Sequence, residues 1–204
     1  MRIITLVAAL LTTAVAAAPK TSTAPADDGS GPRAALLMYD KLVGPNQTDK
    51  ALGLYYTTST RERALANALA TVDGALANLH KSATARFGKE TADDFVRAVD
   101  GTTVAEINAA KIQVTGDTAS VSFPGSSRPT TMIRVNGEWK IAVKALAQEL
   151  QSNPRSFRAG LAKLASGINQ VADKIAQGQY TKSDAAKKQL LESYKAAFGT
   201  PKAG

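Results

Sequence analysis

The sequence predicts an α+β protein with N-terminal helices, an antiparallel sheet and a C-terminal helical hairpin. Apolar residues recur at steps of three and four between residues 60 and 87, and again from Pro154 to Gly178, which is the period of a helix. Between residues 112 and 143 apolar residues alternate with polar ones instead, which indicates strands. Helices that flank a run of strands are typical of the α+β class.

The first 18 residues have the pattern of a signal peptide. Arg2 precedes an apolar run from residue 3 to 15, and Ala16, Ala17 and Ala18 supply the small residues of a cleavage site. An uncleaved membrane anchor is the alternative, but the apolar run is short for a span. Residues 19–32 are rich in Pro, Ser, Thr and Gly and are predicted to be a flexible linker. We therefore expect an exported protein, periplasmic or extracellular, with no integral membrane span after cleavage.

Composition limits the possible functions. The chain of 204 residues is 44% hydrophobic, enough for a core, and contains no cysteine, which excludes disulfides, thiol nucleophiles and thiolate metal sites. Its formal charge of +8 is spread along the chain, whereas nucleic-acid-binding proteins usually concentrate basic residues with aromatic residues between them. We therefore expect no nucleic-acid partner and, at most, weak attraction to anionic envelope surfaces.

The N-terminal helices are predicted from their periodicity and their end signals. The first begins at Arg33 and stops at Gly44-Pro45, and a short helix then carries Leu52, Tyr55 and Tyr56 inward. A long helix is predicted from Thr60 to Phe87. Ser59 and Glu62 match a capping box, Gly88 is a candidate left-handed cap, and a further short helix covers residues 91–99. The apolar stripe of the long helix consists of Leu65, Leu69, Val72, Leu76 and Leu79.

Four strands are predicted after this helix. The first two are expected to carry Ile107, Ile112 and Val114 and then Ala119, Val121 and Phe123, on either side of a Gly116-Asp117 turn. The last two, TTMIRV and EWKIAV, flank Asn136-Gly137, which is typical of a type I′ hairpin turn. This turn places Trp139 on the same face as Ile141 and Val143, so we expect the indole to pack in the core rather than stack on a ligand.

Residues 145–199 are predicted to form a C-terminal helical extension, with residues 200–204 as a tail. Asn153 and Pro154 begin a helix, Gly178 ends it, and Thr181 or Ser183 caps the last one. Two amphipathic helices joined by a short loop suggest a helical hairpin. It is expected to pack on the open side of the sheet or against a second protomer, so a homo-oligomer is possible.

The segments IQVTGDTASVSF (112–123) and TTMIRVNGEWKIAV (130–143) resemble the nuclear-transport-factor-two-like superfamily, which includes ketosteroid isomerase and scytalone dehydratase. Members commonly join two strands through a Gly-Asp-x-Ala turn and end the sheet with Gly-x-Trp-Lys-Ile. The resemblance covers residues 33–143 and not the last 60. It implies a curved, cone-shaped sheet around the long helix, with a pocket that holds paired Asp, Tyr or His groups in the enzymes. Cystatin-like domains share this shape and remain an alternative.

No catalytic set can be assigned from the sequence. His80, the single histidine, could act as a general base oriented by Asp73 or a tyrosine, but a partly exposed helical residue is the simpler interpretation. Asp93 and Asp94 are adjacent in a helix and should diverge, and Tyr55-Tyr56 could line a pocket mouth or simply pack. The segment Ser126-Ser127-Arg128 lacks the glycines and lysine of a phosphate loop.

The preferred hypothesis is an exported, non-catalytic protein that binds a small apolar ligand or an envelope protein, either through the pocket of the cone-shaped domain (residues 33–144) or through the C-terminal helices. No metal or cofactor is expected. The alternative is an isomerase- or dehydratase-like enzyme with an acid or base in the pocket. Two titratable side chains that converge inside the pocket would favour the enzyme.

Overall fold

The computed structural model describes residues 31–44, 47–126, 128–150 and 154–199. The predicted signal peptide, most of the predicted linker and the predicted tail lie outside the described residues. Within them the chain is α+β, as predicted, with eight helices and one open, mixed sheet of five strands.

The first two helices are α1 (Pro32–Leu42) and α2 (Thr48–Leu52). Pro32 begins α1 because a proline at the start of a helix removes no hydrogen bond. The prediction that Tyr55 and Tyr56 continue a helix is wrong. They form β1 (Tyr55–Tyr56), which pairs in parallel with residues 141 and 142 near the other end of the domain.

Helix α3 (Thr60–Phe87) has the predicted bounds. The Ser59 hydroxyl accepts from the Glu62 backbone N–H at 3.2 Å, but the Glu62 carboxylate accepts from the Thr58 N–H at 2.6 Å, so the predicted capping box is only half correct. Gly88 ends α3 with φ +89° and ψ 163°, which is not the predicted left-handed helical conformation. The same glycine precedes α4 (Lys89–Ala98).

The middle of α3 is buried on nearly every side. Beyond the predicted stripe, its buried residues include Ala66, Ala70, Asp73, Gly74 and Ala75. A helix that is apolar around most of its circumference belongs in the interior of a domain. The small side chains of α3 allow neighbouring elements to surround it.

Helix α5 (Val104–Ala109) occupies a segment that was predicted to belong to a strand. Thr103 and Glu106 form a complete capping box, in which the Thr103 backbone N–H donates to the Glu106 carboxylate at 2.9 Å. Ile107 is therefore a buried residue of a helix, and the prediction that it belongs to the first strand of the sheet is wrong. The Arg33 guanidinium donates to the carbonyl of Ala110 at 2.7 Å and joins α1 to the end of α5.

The sheet follows the predicted turns. After β1 the sheet contains the strands β2 (Lys111–Thr115), β3 (Thr118–Ser122), β4 (Thr130–Val135) and β5 (Glu138–Ala142). From β2 onward, each strand pairs antiparallel with the next one in the chain, and the spatial order is β1-β5-β4-β3-β2. Asn136 and Gly137 both have positive φ, 52° and 85°, as a type I′ turn requires. The two hairpin turns thus set the register of the last four strands.

One face of the sheet is buried and carries Ala119, Val121, Met132, Trp139 and Ile141. Trp139 is 6% exposed, which confirms that the indole belongs to the core. The Arg134 guanidinium, opposite Trp139 in the register, lies 5.5 Å from the centre of the ring and is bonded to Asp117 at 2.8 Å. Ile133 and Val135 lie on the other, partly exposed face.

The C-terminal helices are α6 (Lys144–Glu149), α7 (Pro154–Ala176) and α8 (Ser183–Phe198). The apolar stripe of α7 is at most 1% exposed from residue 161 to 175, and α7 packs most extensively against α3 and α8. It therefore packs on the long helix rather than on the open side of the sheet. Lys182 precedes α8 without a side-chain cap, so neither Thr181 nor Ser183 caps it.

Helices α3 and α7 run in the same direction. Arg61 and Leu65 of α3 lie beside Arg158 near the start of α7, and the Asn78 amide donates to Asn169 at 3.1 Å near the middle. Ala85 and Ile175 line one groove at the other end. Among the described residues, no helix combines the length and the apolarity that a membrane span requires.

Candidate functional site

A cavity of about 270 Å³ lies between α1, α3, α4 and α5, with the residue after β3 also at its wall. Its apolar lining consists of Leu36, Val43, Leu76, Val96, Val104, Ile107 and Phe123. Polar side chains enter it from α1, α3 and α4. Concave, mostly apolar sites with a few placed polar groups are typical of small-molecule binding.

Asp73 is the most unusual residue of this lining. It lies in the buried middle of α3 and is only 6% exposed. Its Oδ2 accepts hydrogen bonds from the Tyr39 hydroxyl at 3.0 Å and the Tyr55 hydroxyl at 2.7 Å. Its Oδ1 is buried and accepts no hydrogen bond from the described residues. One oxygen is therefore held by two phenols, while the other is buried without a hydrogen-bond partner among the described residues.

The electrostatics of this cluster follow from burial. Removal from water raises the pKa of the Asp73 carboxyl above its usual value, although the two phenol hydrogen bonds act in the opposite direction. Burial, followed by the nearby Asp73 charge, also raises the pKa of Tyr39 and of Tyr55. The phenols consequently stay protonated and remain donors to the carboxylate. No cation of the described residues is hydrogen-bonded to this buried acid.

A second polar group faces the same cavity from its α4 side. Asp93 Oδ1 lies 3.0 Å from His80 Nε2, and Asp93 Oδ2 accepts from the Lys89 ammonium at 2.8 Å. Partial burial alone would raise the pKa of Asp93, but the hydrogen bonds from Lys89 and His80 lower it below its usual value. Asp93 is therefore ionised in the folded protein at neutral pH and orients the imidazole.

The helical period explains why Asp73 and His80 meet one cavity. They are two turns apart on α3, so they share a face and are separated by about 10 Å along the axis. Ala77 lies between them on this face and also lines the cavity, where its small side chain occupies little of the volume. Asp73 and His80 therefore lie at different depths along the cavity wall that α3 forms.

The structure brings together some of the residues considered from the sequence. His80 is partly exposed and is paired with Asp93, rather than with Asp73 or a tyrosine as considered. Asp93 and Asp94 diverge as expected, since Asp94 bonds to Arg97 instead. Tyr55 is buried with its hydroxyl on Asp73, while Tyr56 is half-buried.

In the Ser126–Arg128 segment the structure shows a local hydrogen bond. The Ser126 hydroxyl donates to the Arg128 carbonyl at 2.7 Å, and Ser127 lies outside the described residues. Within the described ranges, no group of three His, Cys, Asp or Glu side chains could hold a metal ion.

The contact of Tyr39 with Asp73 was not predicted from the sequence. One signal was present in the sequence. Leu69, Asp73 and Leu76 fall at helical steps of four and three, so an acid occupies a position on a buried face of the long helix. A carboxylate there needs partners, and tyrosines are among the side chains able to supply them.

The chain matches no family model, and searches of the curated proteins and of the solved structures found no match either.

Proposed function

We propose that this chain is a non-catalytic binding protein for a small, mostly apolar molecule, which occupies the cavity between α1, α3, α4 and α5. The observation that carries the proposal is the combination of an apolar lining with Asp73, a buried acid of which one oxygen has no hydrogen-bond partner among the described residues. Apolar walls provide affinity through burial, and a single polar group fixes orientation.

The size of the cavity restricts the ligand. Its volume of about 270 Å³ lies just below the range of about 300–1,000 Å³ typical of sites for drug-sized molecules. The ligand should therefore be compact, about the size of one substituted ring or a short branched chain. A polymer or a long lipid chain would have to leave most of its length outside.

Native mass spectrometry of the protein purified from its own host tests this proposal. We expect a small molecule to remain bound to wild type. Ala77→Phe should abolish the bound species, because the added ring would occupy the cavity on the same helical face as Asp73. Ala85→Phe, at an exposed position of α3 outside this cavity, is the matched control. Absence of bound mass in wild type, together with no stabilisation by any compound of a fragment panel, would contradict the proposal.

A protein partner is the other form of the binding hypothesis. The main apolar stripe of α7 is covered inside the chain, and large apolar side chains are well exposed only at Met38, Val104 and Leu191 among the described residues. These positions are on three different helices. Scattered exposed apolar residues are normal for a protein surface, so the small-molecule hypothesis has the stronger support.

We further propose the cone-shaped arrangement and the superfamily resemblance as the framework of this site. Two observations support them: one face of the sheet is buried in the same core as α3, and Phe123 from the sheet lines the cavity with Asp73. Export remains a proposal that rests on residues 1–18 alone. Cell fractionation followed by N-terminal sequencing of the mature protein tests it, with cleavage after Ala18 expected.

The second candidate function is an enzyme of the isomerase or dehydratase kind. One observation favours it: two pairs of polar side chains, Asp73 with Tyr39 and His80 with Asp93, line the same cavity. Groups of this type can transfer protons at either end of a bound molecule. Deuterium exchange at the carbon next to a carbonyl, measured over a panel of small ketones, tests it. Exchange that requires both Asp73 and His80 supports catalysis, and a rate equal to that of buffer excludes it for those substrates.

A further inference from the structure

We infer that the ligand of this cavity is a compact apolar amine, whose positively charged ammonium group pairs with the Asp73 carboxylate. This inference rests on the proposed function and names the chemical class of its ligand. It starts from the partners of Asp73. Two neutral phenols bond one oxygen, and no described Lys, Arg or His side chain is hydrogen-bonded to the carboxylate.

A buried carboxylate without a cation is incompletely compensated. Buried charges in folded proteins are normally paired, because hydrogen bonds from neutral groups replace only part of the lost hydration. Asp73 is 6% exposed and lines a cavity large enough for a ligand. An ammonium group placed there would supply both the missing charge and a hydrogen-bond donor for the carboxylate.

The other charged groups of the cavity do not provide this compensation. Lys89 is bonded to Asp93 at 2.8 Å, and its side chain is 67% exposed, so it lies at the rim. His80 is bonded to the same carboxylate. Apart from His80, the lining holds three acids against two lysines, and of these five groups Asp73 alone is buried, which favours a cationic ligand over an anionic one. The titratable side chains around the cavity and its acid are Tyr39, Asp40, Tyr55, His80, Lys81, Lys89 and Asp93.

The walls also suit an ammonium ion with an apolar body. Tyr39 and Phe123 bring aromatic rings to the cavity, and aromatic faces attract cations. Leu36, Leu76 and Ile107 would enclose the hydrocarbon part. A quaternary ammonium is less suitable, because it has no N–H to donate to the carboxylate.

Three compounds of one shape test the inference by calorimetric titration: cyclohexylmethylammonium, cyclohexylmethanol and cyclohexanecarboxylate. We expect wild type to bind the amine about tenfold or more tighter than the alcohol, because charge-assisted hydrogen bonds are roughly twice as strong as neutral ones. The carboxylate should bind weakest. Amine affinity should increase as the pH rises through the titration of Asp73, because only the ionised carboxylate attracts the ammonium group.

Two variants test whether Asp73 causes the preference for the amine. Asp73→Asn should remove the preference for the amine while the alcohol still binds, and Ala85→Phe, outside this cavity, should keep the preference and its direction with pH. The comparison of the three compounds on the wild-type protein tests the inference even where a variant fails to fold. Equal affinity for amine and alcohol, or preference for the carboxylate, overturns the inference and leaves the proposed function intact. Failure of all three compounds to bind overturns the inference, whereas the native mass spectrometry above decides the proposed function separately.

Discussion

At the residue scale, the main feature is a buried acid held by two tyrosines. Tyr39 comes from α1 and Tyr55 from β1, so Asp73 joins three elements through one oxygen. The sequence marks Asp73 as an acid on an apolar helical face, but its partners are 34 and 18 residues away. Helical periodicity describes neighbours within one element only, and it therefore could not predict this cluster.

Loss of one phenol should weaken the fold measurably. Tyr39→Phe keeps the ring and removes the hydroxyl that donates to Asp73, so we expect a loss of about 1–3 kcal/mol in the free energy of unfolding. Tyr56→Phe, at the half-buried neighbour of Tyr55, is the control and should change stability much less. Chemical denaturation measures both. Equal effects of the two substitutions would show that the hydroxyl contact with Asp73 contributes nothing.

The raised pKa of Asp73 predicts a pH dependence of stability. The folded state holds this proton more tightly than the unfolded chain, in which the pKa is about 4. The stabilisation is complete below the unfolded pKa and is lost as the pH rises through the folded value. Asp73→Asn removes this loss, so the melting temperature of the variant relative to wild type should increase from about pH 4 to neutral pH.

Thermal unfolding monitored by circular dichroism across this window measures the difference. Asp93 and Glu62, whose pKa values are lowered, act in the opposite direction and only at more acidic pH. They therefore do not mask the effect. If the melting temperatures of the two proteins instead differ by the same amount from acid to neutral pH, Asp73 is as well hydrated in the folded protein as in the unfolded chain.

At the element scale, local signals predicted those parts of the fold whose causes are local. The Asn136-Gly137 turn and the alternation around it placed β4 and β5 correctly, and the apolar period and Ser59 placed α3. β1 was missed because its two residues become a strand only by pairing with Ile141 and Ala142. α5 was missed because a six-residue helix shows too little period to be distinguished from a strand.

The crossing of α7 and α8 depends on two glycines. A methyl group at Gly160 would lie 2.6 Å from the Phe198 ring and 2.9 Å from the carbonyl oxygen of Ala197. At Gly167 it would lie 2.5 Å from the Cβ of Ser193. The helices therefore approach closely at both positions, and the Tyr194 hydroxyl then joins α8 to Asp100 beyond α4 at 2.8 Å.

Gly160→Ala tests this crossing. In an ordinary helix the substitution stabilises by about 1 kcal/mol, but here the backbone contact should convert it into a loss of about 1–3 kcal/mol. Ala162→Gly, at an exposed position of α7, measures helix propensity alone and should cost about 1 kcal/mol. Urea denaturation compares the two. A more stable Gly160→Ala protein would mean that α7 and α8 do not approach each other at this point.

At the scale of the whole molecule, α3 is the shared centre of the fold. One side packs beside α7, in the same direction, and another carries Asp73, Ala77 and His80 into the cavity. The sequence predicted both long helices but placed the second one on the sheet or against another protomer. Amphipathic stripes show that a face is buried, and many apolar surfaces could satisfy them equally well.

Removal of α7 and α8 tests this arrangement. We expect a chain ending at residue 150 to lose cooperative unfolding and to associate, because a long side of α3 would be exposed to water. Deletion of residues 200–204 alone is the control and should leave the melting transition unchanged. Sedimentation and thermal unfolding give the two measurements. A stable, monomeric chain lacking both helices would contradict the central position of α3.

The most direct test of the account is a crystal structure of the wild-type protein purified from its own host. We predict an open cavity between α1, α3, α4 and α5, with a bound small molecule or ordered water within hydrogen-bond distance of the Asp73 carboxylate and both tyrosine hydroxyls bonded to its Oδ2. A cavity filled by side chains of the protein, or an Asp73 carboxylate paired with a lysine or arginine of the chain, would contradict it.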